Sequence, residues 1–162
     1  MPPPHLPTTQ SAVLAIEAVA HRHGRTVRAQ HDIGHDRTFA GLVGPGGPGS
    51  DLDVTDALPH EALLEFDGPD QGDGPDQGGR PAVTVRLFTH DEVTVTVEGI
   101  AFDVDRDRVP GFLNAVWSDL VHVRTRTFPP STTLIVTVPG EPSHREGIGV
   151  HSLTPWLAGR IR

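Results

Sequence analysis

The residues best equipped for chemistry in this 162-residue chain are ten histidines, 21 carboxylates and 13 basic residues, all arginine. His31 and Asp32 are adjacent and His35 follows four positions after His31. Imidazole nitrogens and a carboxylate are the donors that hold a divalent metal and let it activate water. Asp51 and Asp53 bracket one leucine, and Asp103, Asp105 and Asp107 recur at every second position. Carboxylates so spaced suit phosphoryl transfer or a hard cation. His21 and His23 stand near the predicted end of a helix, where positive side chains also favour the dipole. His122, Arg124 and Arg126 alternate along one stretch and make a cationic stripe in a chain of net charge −8. Such a stripe binds an anionic ligand or pairs with neighbouring carboxylates. With no cysteine, thiolate metal sites, thiol nucleophiles and disulfides are excluded.

Three of these patterns resemble known families. His31-Asp-Ile-Gly-His35 resembles the His–Asp signature of HD-domain phosphohydrolases. That resemblance implies a divalent metal on His31, Asp32 and His35 and water attack on a phosphate ester. It covers five residues. The family is all-helical, whereas residues downstream are rich in Gly and Pro and then alternate as strands. If residues 26–33 form a strand, His31 and Asp32 point to opposite faces, the wrong geometry for one metal. Asp51-Leu-Asp-Val-Thr55 resembles the nucleophile motif of haloacid-dehalogenase phosphatases, but Gly-Pro-Gly-Ser stands where that motif needs a buried strand. Asp103-Val-Asp-Arg-Asp107 resembles the opening of an EF-hand loop. The glycine at its sixth position is Arg108 here, and the glutamate at its twelfth is Asn114. There is no Gly-x-Ser-x-Gly elbow and no phosphate-binding P-loop.

Around these residues the hydrophobic pattern calls for an antiparallel sheet with helices laid against it. Residues 82–88 alternate Val83, Val85 and Leu87 against Thr84 and Arg86, and residues 92–98 alternate Val93, Val95 and Val97 against threonines. Period two in β-branched residues marks strands with one buried face. At Gly99 the inward phase passes to Ile100, Phe102 and Val104, which predicts a bulge or a sharp turn there. Further strands are predicted at about 26–33, 38–43, 60–66, 121–128 and 133–138. A helix is predicted over 10–23, capped by Thr9 and ended by Gly24. A second, capped by Asp107, carries Val109, Phe112, Leu113, Val116, Trp117 and Leu120 on one face, with Trp117 as a core residue. The motif Thr154-Pro-Trp-Leu-Ala-Gly159 predicts a short helix that pins Trp156 and Leu157.

The expectation is thus one α+β domain over residues 9–162, an antiparallel sheet of about five to seven strands with helices packed on one face. Residues 1–8 are expected to be a disordered, proline-rich N-terminus. The tandem Asp-Gly-Pro-Asp-Gln-Gly repeat in 67–81 is expected to be a flexible loop. A chain of this length buries about 68–70% of its unfolded surface without needing a disulfide or metal. Net charge −8 disfavours phosphate-backbone contacts, so no nucleic acid is expected. No apolar run is long enough for a membrane span and the start lacks signal-peptide character, so the expected location is cytoplasmic, with no membrane partner. No cofactor is expected. The leading functional expectation is a small non-enzymatic protein that binds another protein, immunity- or antitoxin-like, with homo-oligomerisation open. Two alternatives stand behind it: a metal-dependent phosphohydrolase using His31, Asp32 and His35, and a structural or accessory subunit of a larger assembly joined by sheet-edge pairing.

Overall fold

The computed structural model describes residues 5–30, 60–66, 79–88, 92–149 and 152–162. Helix α1 spans Thr9–Arg22 and starts one residue before the sequence expectation. Ser11 lies three residues after Thr8, so Thr8 completes a reciprocal capping box. Ser11 N–H donates to Thr8 Oγ1 and Thr8 N–H donates to Ser11 Oγ, each at 3.1 Å. Gly24, at φ +61°, turns the chain out of the helix as predicted.

Five strands then form an antiparallel meander: β1 (Val27–Gln30), β2 (His60–Phe66), β3 (Val83–Phe88), β4 (Glu92–Val97) and β5 (Ile100–Asp105). In register, Leu64 opposes Val85, Val85 opposes Val95 and Val95 opposes Phe102, so one face of the sheet is a continuous apolar row. All four are at most 1% exposed. The change of phase at Gly99 is a two-residue hairpin turn. Glu98 (φ 52°) and Gly99 (φ 81°) both have positive φ, the requirement of a type I′ turn, and Val97 pairs directly with Ile100. Two turn residues separate two inward positions, and that is why the parity shifts. Glu98 is held in its unfavourable conformation by Ala82, whose N–H donates to Glu98 Oε1 at 2.7 Å and whose carbonyl accepts from Glu98 N–H at 2.9 Å.

After β5 the chain makes a 3-10 turn over Arg106–Arg108 and enters α2, Val109–Trp117, with Pro110 in its first turn. Asp107 does not cap this helix. It reaches back to the start of the chain, accepting from Leu6 N–H at 2.6 Å on Oδ1 and lying 3.1 Å from His5 Nδ1 on Oδ2. The backbone bond from Leu6, followed by the bond to His5, holds the Asp107 carboxyl below its usual value of 3.8. Residues 5–8 are tied down by this clamp, by the burial of Leu6 and by the Thr8 cap, whereas composition alone groups them with a disordered start.

A second antiparallel sheet follows, β6 (Val121–Arg126), β7 (Ser131–Val136) and β8 (His144–Ile148), and then α3, Pro155–Ala158. The described residues therefore form the antiparallel sheet the sequence called for, with five strands, and beside it a second sheet of three. The α+β class stands. Strand β8 is absent from the sequence expectation because His-Arg-Glu-Gly-Ile has no apolar alternation and only Ile148 is buried. Helix α3 forms where predicted, with Thr154 Oγ1 accepting from Leu157 N–H, and buries Trp156 and Leu157. The tail then runs beside β6: Val123 N–H donates to Arg160 O at 2.8 Å and Arg162 N–H donates to Val123 O at 3.0 Å. That pairing covers part of an edge strand that would otherwise offer free backbone groups.

Helix α2 joins the two sheets. Phe112, fully buried, lies 5.2 Å from the ring of Phe102 on β5 and 5.1 Å from the ring of His144 on β8. Ile16, Val19 and Ala20 of α1 enter the same core cluster. At the other end of α2, Trp117 is only partly buried and Leu120 is 39% exposed, so the predicted apolar face is buried through Val116 and opens beyond it.

His144 supplies a pH prediction. Burial pushes its pKa below the usual 6.5, opposed in part by the nearby Glu141 carboxylate. Lowered folded pKa means that the unfolded state takes up the proton first, so stability is full above about 6.5 and falls as pH drops toward the depressed folded value. A His144→Gln variant is expected to lose less melting temperature than the parent between pH 7.5 and 5. Equal slopes would show that His144 does not couple protonation to folding. Asp107 acts in a lower window: its stabilising contribution is present above its unfolded pKa and lost as pH falls through the lowered folded one.

Candidate functional site

Strand β6 sends Val121 and Val123 into the core, at 2% and 0% exposure, so alternation puts His122, Arg124 and Arg126 on the opposite face. This is the stripe expected from the sequence. The register of the second sheet completes it. His122 faces Ile135, and Ile135 faces Arg145 on β8; Arg124 faces Thr133, and Thr133 faces Gly147; Arg126 faces Ser131. The result is a groove of about 310 Å³ lined by Arg124, Arg126, Ser131, Thr133, Ile135 and Arg145.

Arg124, Arg126 and Arg145 are exposed, and among the described residues none of them pairs with a carboxylate. Elsewhere arginines do find acids: Arg160 bonds Asp119 at 2.7 Å, and Arg108 lies 3.4 Å from Asp105 and 3.8 Å from Glu141. Pairing of the stripe with neighbouring carboxylates, the commoner fate of surface arginines, is not seen in the described residues. Guanidinium groups carry only donors, in a planar fork that matches a carboxylate or phosphate. The Ser131 and Thr133 hydroxyls between them both donate and accept. Arg124 and Arg126 are two residues apart on a strand, so their side chains leave the sheet about 6.6 Å from each other. Carboxylates on every second residue of an extended partner have the same spacing.

The remaining sequence candidates come out as follows. His31, Asp32 and His35 lie outside the described residues, as do Asp51–Thr55. Among the described residues no three His, Cys, Asp or Glu side chains are grouped closely enough to hold a metal. Asp103 and Asp105 lie on the exposed face of β5, paired in register with Thr94 and Glu92, so the EF-hand resemblance is a strand and not a loop. His23 is engaged with α2, its Nε2 3.0 Å from Asn114 Oδ1. Sequence reasoning missed Arg145, whose strand gives no periodic signal. No described helix is long and apolar enough to cross a membrane. Compared with protein-family models, with curated proteins and with solved structures, the chain matches none of them.

Proposed function

We propose that this chain is a small non-enzymatic protein that binds another protein, immunity- or antitoxin-like in kind, and that the outer face of β6–β8 receives an acidic, extended segment of that partner. One observation carries the reading: three arginines stand without acidic partners among the described residues, on one regular sheet face, in a chain of net charge −8. Uncompensated like charges gathered on one sheet face repel one another, and a carboxylate-bearing partner removes that repulsion. Positive charge held at strand spacing also guides encounter and sets register more than it adds raw affinity.

Site-specific photo-crosslinking tests this. A benzoylphenylalanine at Thr133, in the groove, is expected to give a discrete protein adduct in cells producing the full chain. The same group at Leu14, exposed on α1 at 59%, is expected to give none. Arg124→Glu, Arg126→Glu and Arg145→Glu together are expected to abolish the adduct while leaving circular dichroism unchanged. No adduct at Thr133, or one indifferent to the three charge reversals, overturns the reading.

A further inference from the structure

The β6–β7 hairpin runs on beyond the core. Val121 and Val123 are buried, but Thr125, next in the same inward phase, is exposed, and so is every residue from Arg124 to Ser131. The ladder holds to its last rung, Arg126 opposite Ser131, and residues 127–130 turn between the two strands. The outer hairpin is therefore an arm that leaves the body, regular in its backbone and exposed on both faces among the described residues.

Phe128 stands in that turn at 88% exposure, the most exposed large apolar side chain among the described residues. A single exposed apolar residue is ordinary on a protein surface. Its position sets Phe128 apart. The turn begins directly after Arg126, so the ring stands where the arginine face ends. Pro129 and Pro130 follow it, and both lack an N–H and have φ fixed by their own ring, which stiffens the tip. A stiff element loses little entropy on binding. Aromatic and arginine side chains are also the ones enriched where protein partners meet.

We infer that the acidic segment proposed for the β6–β8 face carries a large apolar residue at the end nearest the hairpin tip, and that this residue packs on Phe128. The inference rests on that reading and adds a second chemistry to it. Arg124 and Arg126 lie along β6, so a segment whose alternate carboxylates meet both must run along that strand. Continued past Arg126, the same line brings its next residues onto the turn. A charged or small residue there leaves the ring in water, whereas a large apolar one removes both apolar surfaces from it. Charge selects the body of the segment, and Phe128 selects its end.

Two synthetic peptides test it, acetyl-Glu-Thr-Glu-Thr-Glu-Thr-Trp-amide and the reversed sequence acetyl-Trp-Thr-Glu-Thr-Glu-Thr-Glu-amide, so that either strand direction is covered. Titrated calorimetrically into the full chain, one of them is expected to bind at least fivefold more tightly than its counterpart with Ala in place of Trp. Phe128 is exposed, so Phe128→Ala keeps the fold. That variant is expected to abolish the preference for Trp and to leave the affinity for the Ala peptide unchanged. Arg124→Glu with Arg126→Glu is expected to weaken the Trp and Ala peptides alike. Equal affinity for Trp and Ala peptides, or a preference for Trp that survives Phe128→Ala, overturns the inference and leaves the acidic-segment reading standing. Binding of none of the four peptides, or binding indifferent to the two charge reversals, overturns that reading together with it. Co-sedimentation of the chain with phosphatidylserine vesicles that is lost in Phe128→Ala assigns the tip to a membrane surface, which also overturns the inference.

Discussion

Phe112→Ala is expected to destabilise the protein by about 3–5 kcal/mol, the range for truncating a fully buried aromatic side chain. Phe112 has no exposed surface and its ring touches one aromatic ring from each sheet, Phe102 of β5 and His144 of β8. Removing it leaves a cavity that collapse from one side cannot fill, because the rings on either side belong to different sheets held by their own backbone ladders. For a chain of this length the melting temperature is expected to fall by roughly 6–20 °C, at about 2–4 °C per kcal/mol. Phe128→Ala is the matched control: Phe128 is 88% exposed, and its loss is expected to change stability by no more than about 0.5 kcal/mol. Urea denaturation of both variants measures the difference. A Phe112→Ala protein as stable as the control would show that α2 does not join the sheets as described.

Deletion of residues 154–162 is expected to have a still larger effect. It removes Trp156 and Leu157, at 2% and 0% exposure, and at about 2–5 kcal/mol for each large buried side chain the loss rivals the entire stability of an ordinary domain. It also strips the Arg160 and Arg162 backbone from Val123, reopening the edge of β6 to pairing between molecules. The expected product is unfolded or aggregated by circular dichroism and size-exclusion chromatography. Deleting 160–162 alone separates the two contributions: burial of α3 is kept, so a folded but more association-prone chain is expected. If the longer deletion stays monomeric with a melting temperature near that of the parent, the docking of α3 contributes little.

Where an element's signal is local, its sequence announces it. The alternation of Val83, Val85 and Leu87, and of Val93, Val95 and Val97, needs only neighbours two positions away, and those strands form with that face inward. Thr154-Pro-Trp-Leu carries its own cap and first-turn proline, so α3 was legible in the motif Thr154–Gly159 alone. The shift of phase at Gly99 marked the right place, and positive φ at both Glu98 and Gly99 chose a turn over a bulge. For the candidate site, alternation alone put His122, Arg124 and Arg126 on one face.

What the sequence by itself determined, then, is the α+β class, the inward face of each alternating strand, most of α1 and α2, and the cationic face except for Arg145. The tertiary structure decided everything that depends on a partner distant in sequence. Asp107 has the chemistry of a helix cap, but Leu6 N–H, 101 positions earlier, is the donor it accepts from. Strand β8 exists because β7 offers it a ladder, and its own residues carry no period; only that pairing brings Arg145 level with His122 across Ile135. Trp117 falls on the apolar face of α2 by spacing, yet it sits where that helix ends beside Arg25 and α3, and so it lines a pocket instead of filling the core. Local patterns specify which way a side chain leaves the backbone, because that follows from dihedral geometry within a few residues. What the side chain then meets is set by how sheets and helices stack, and no local pattern contains that.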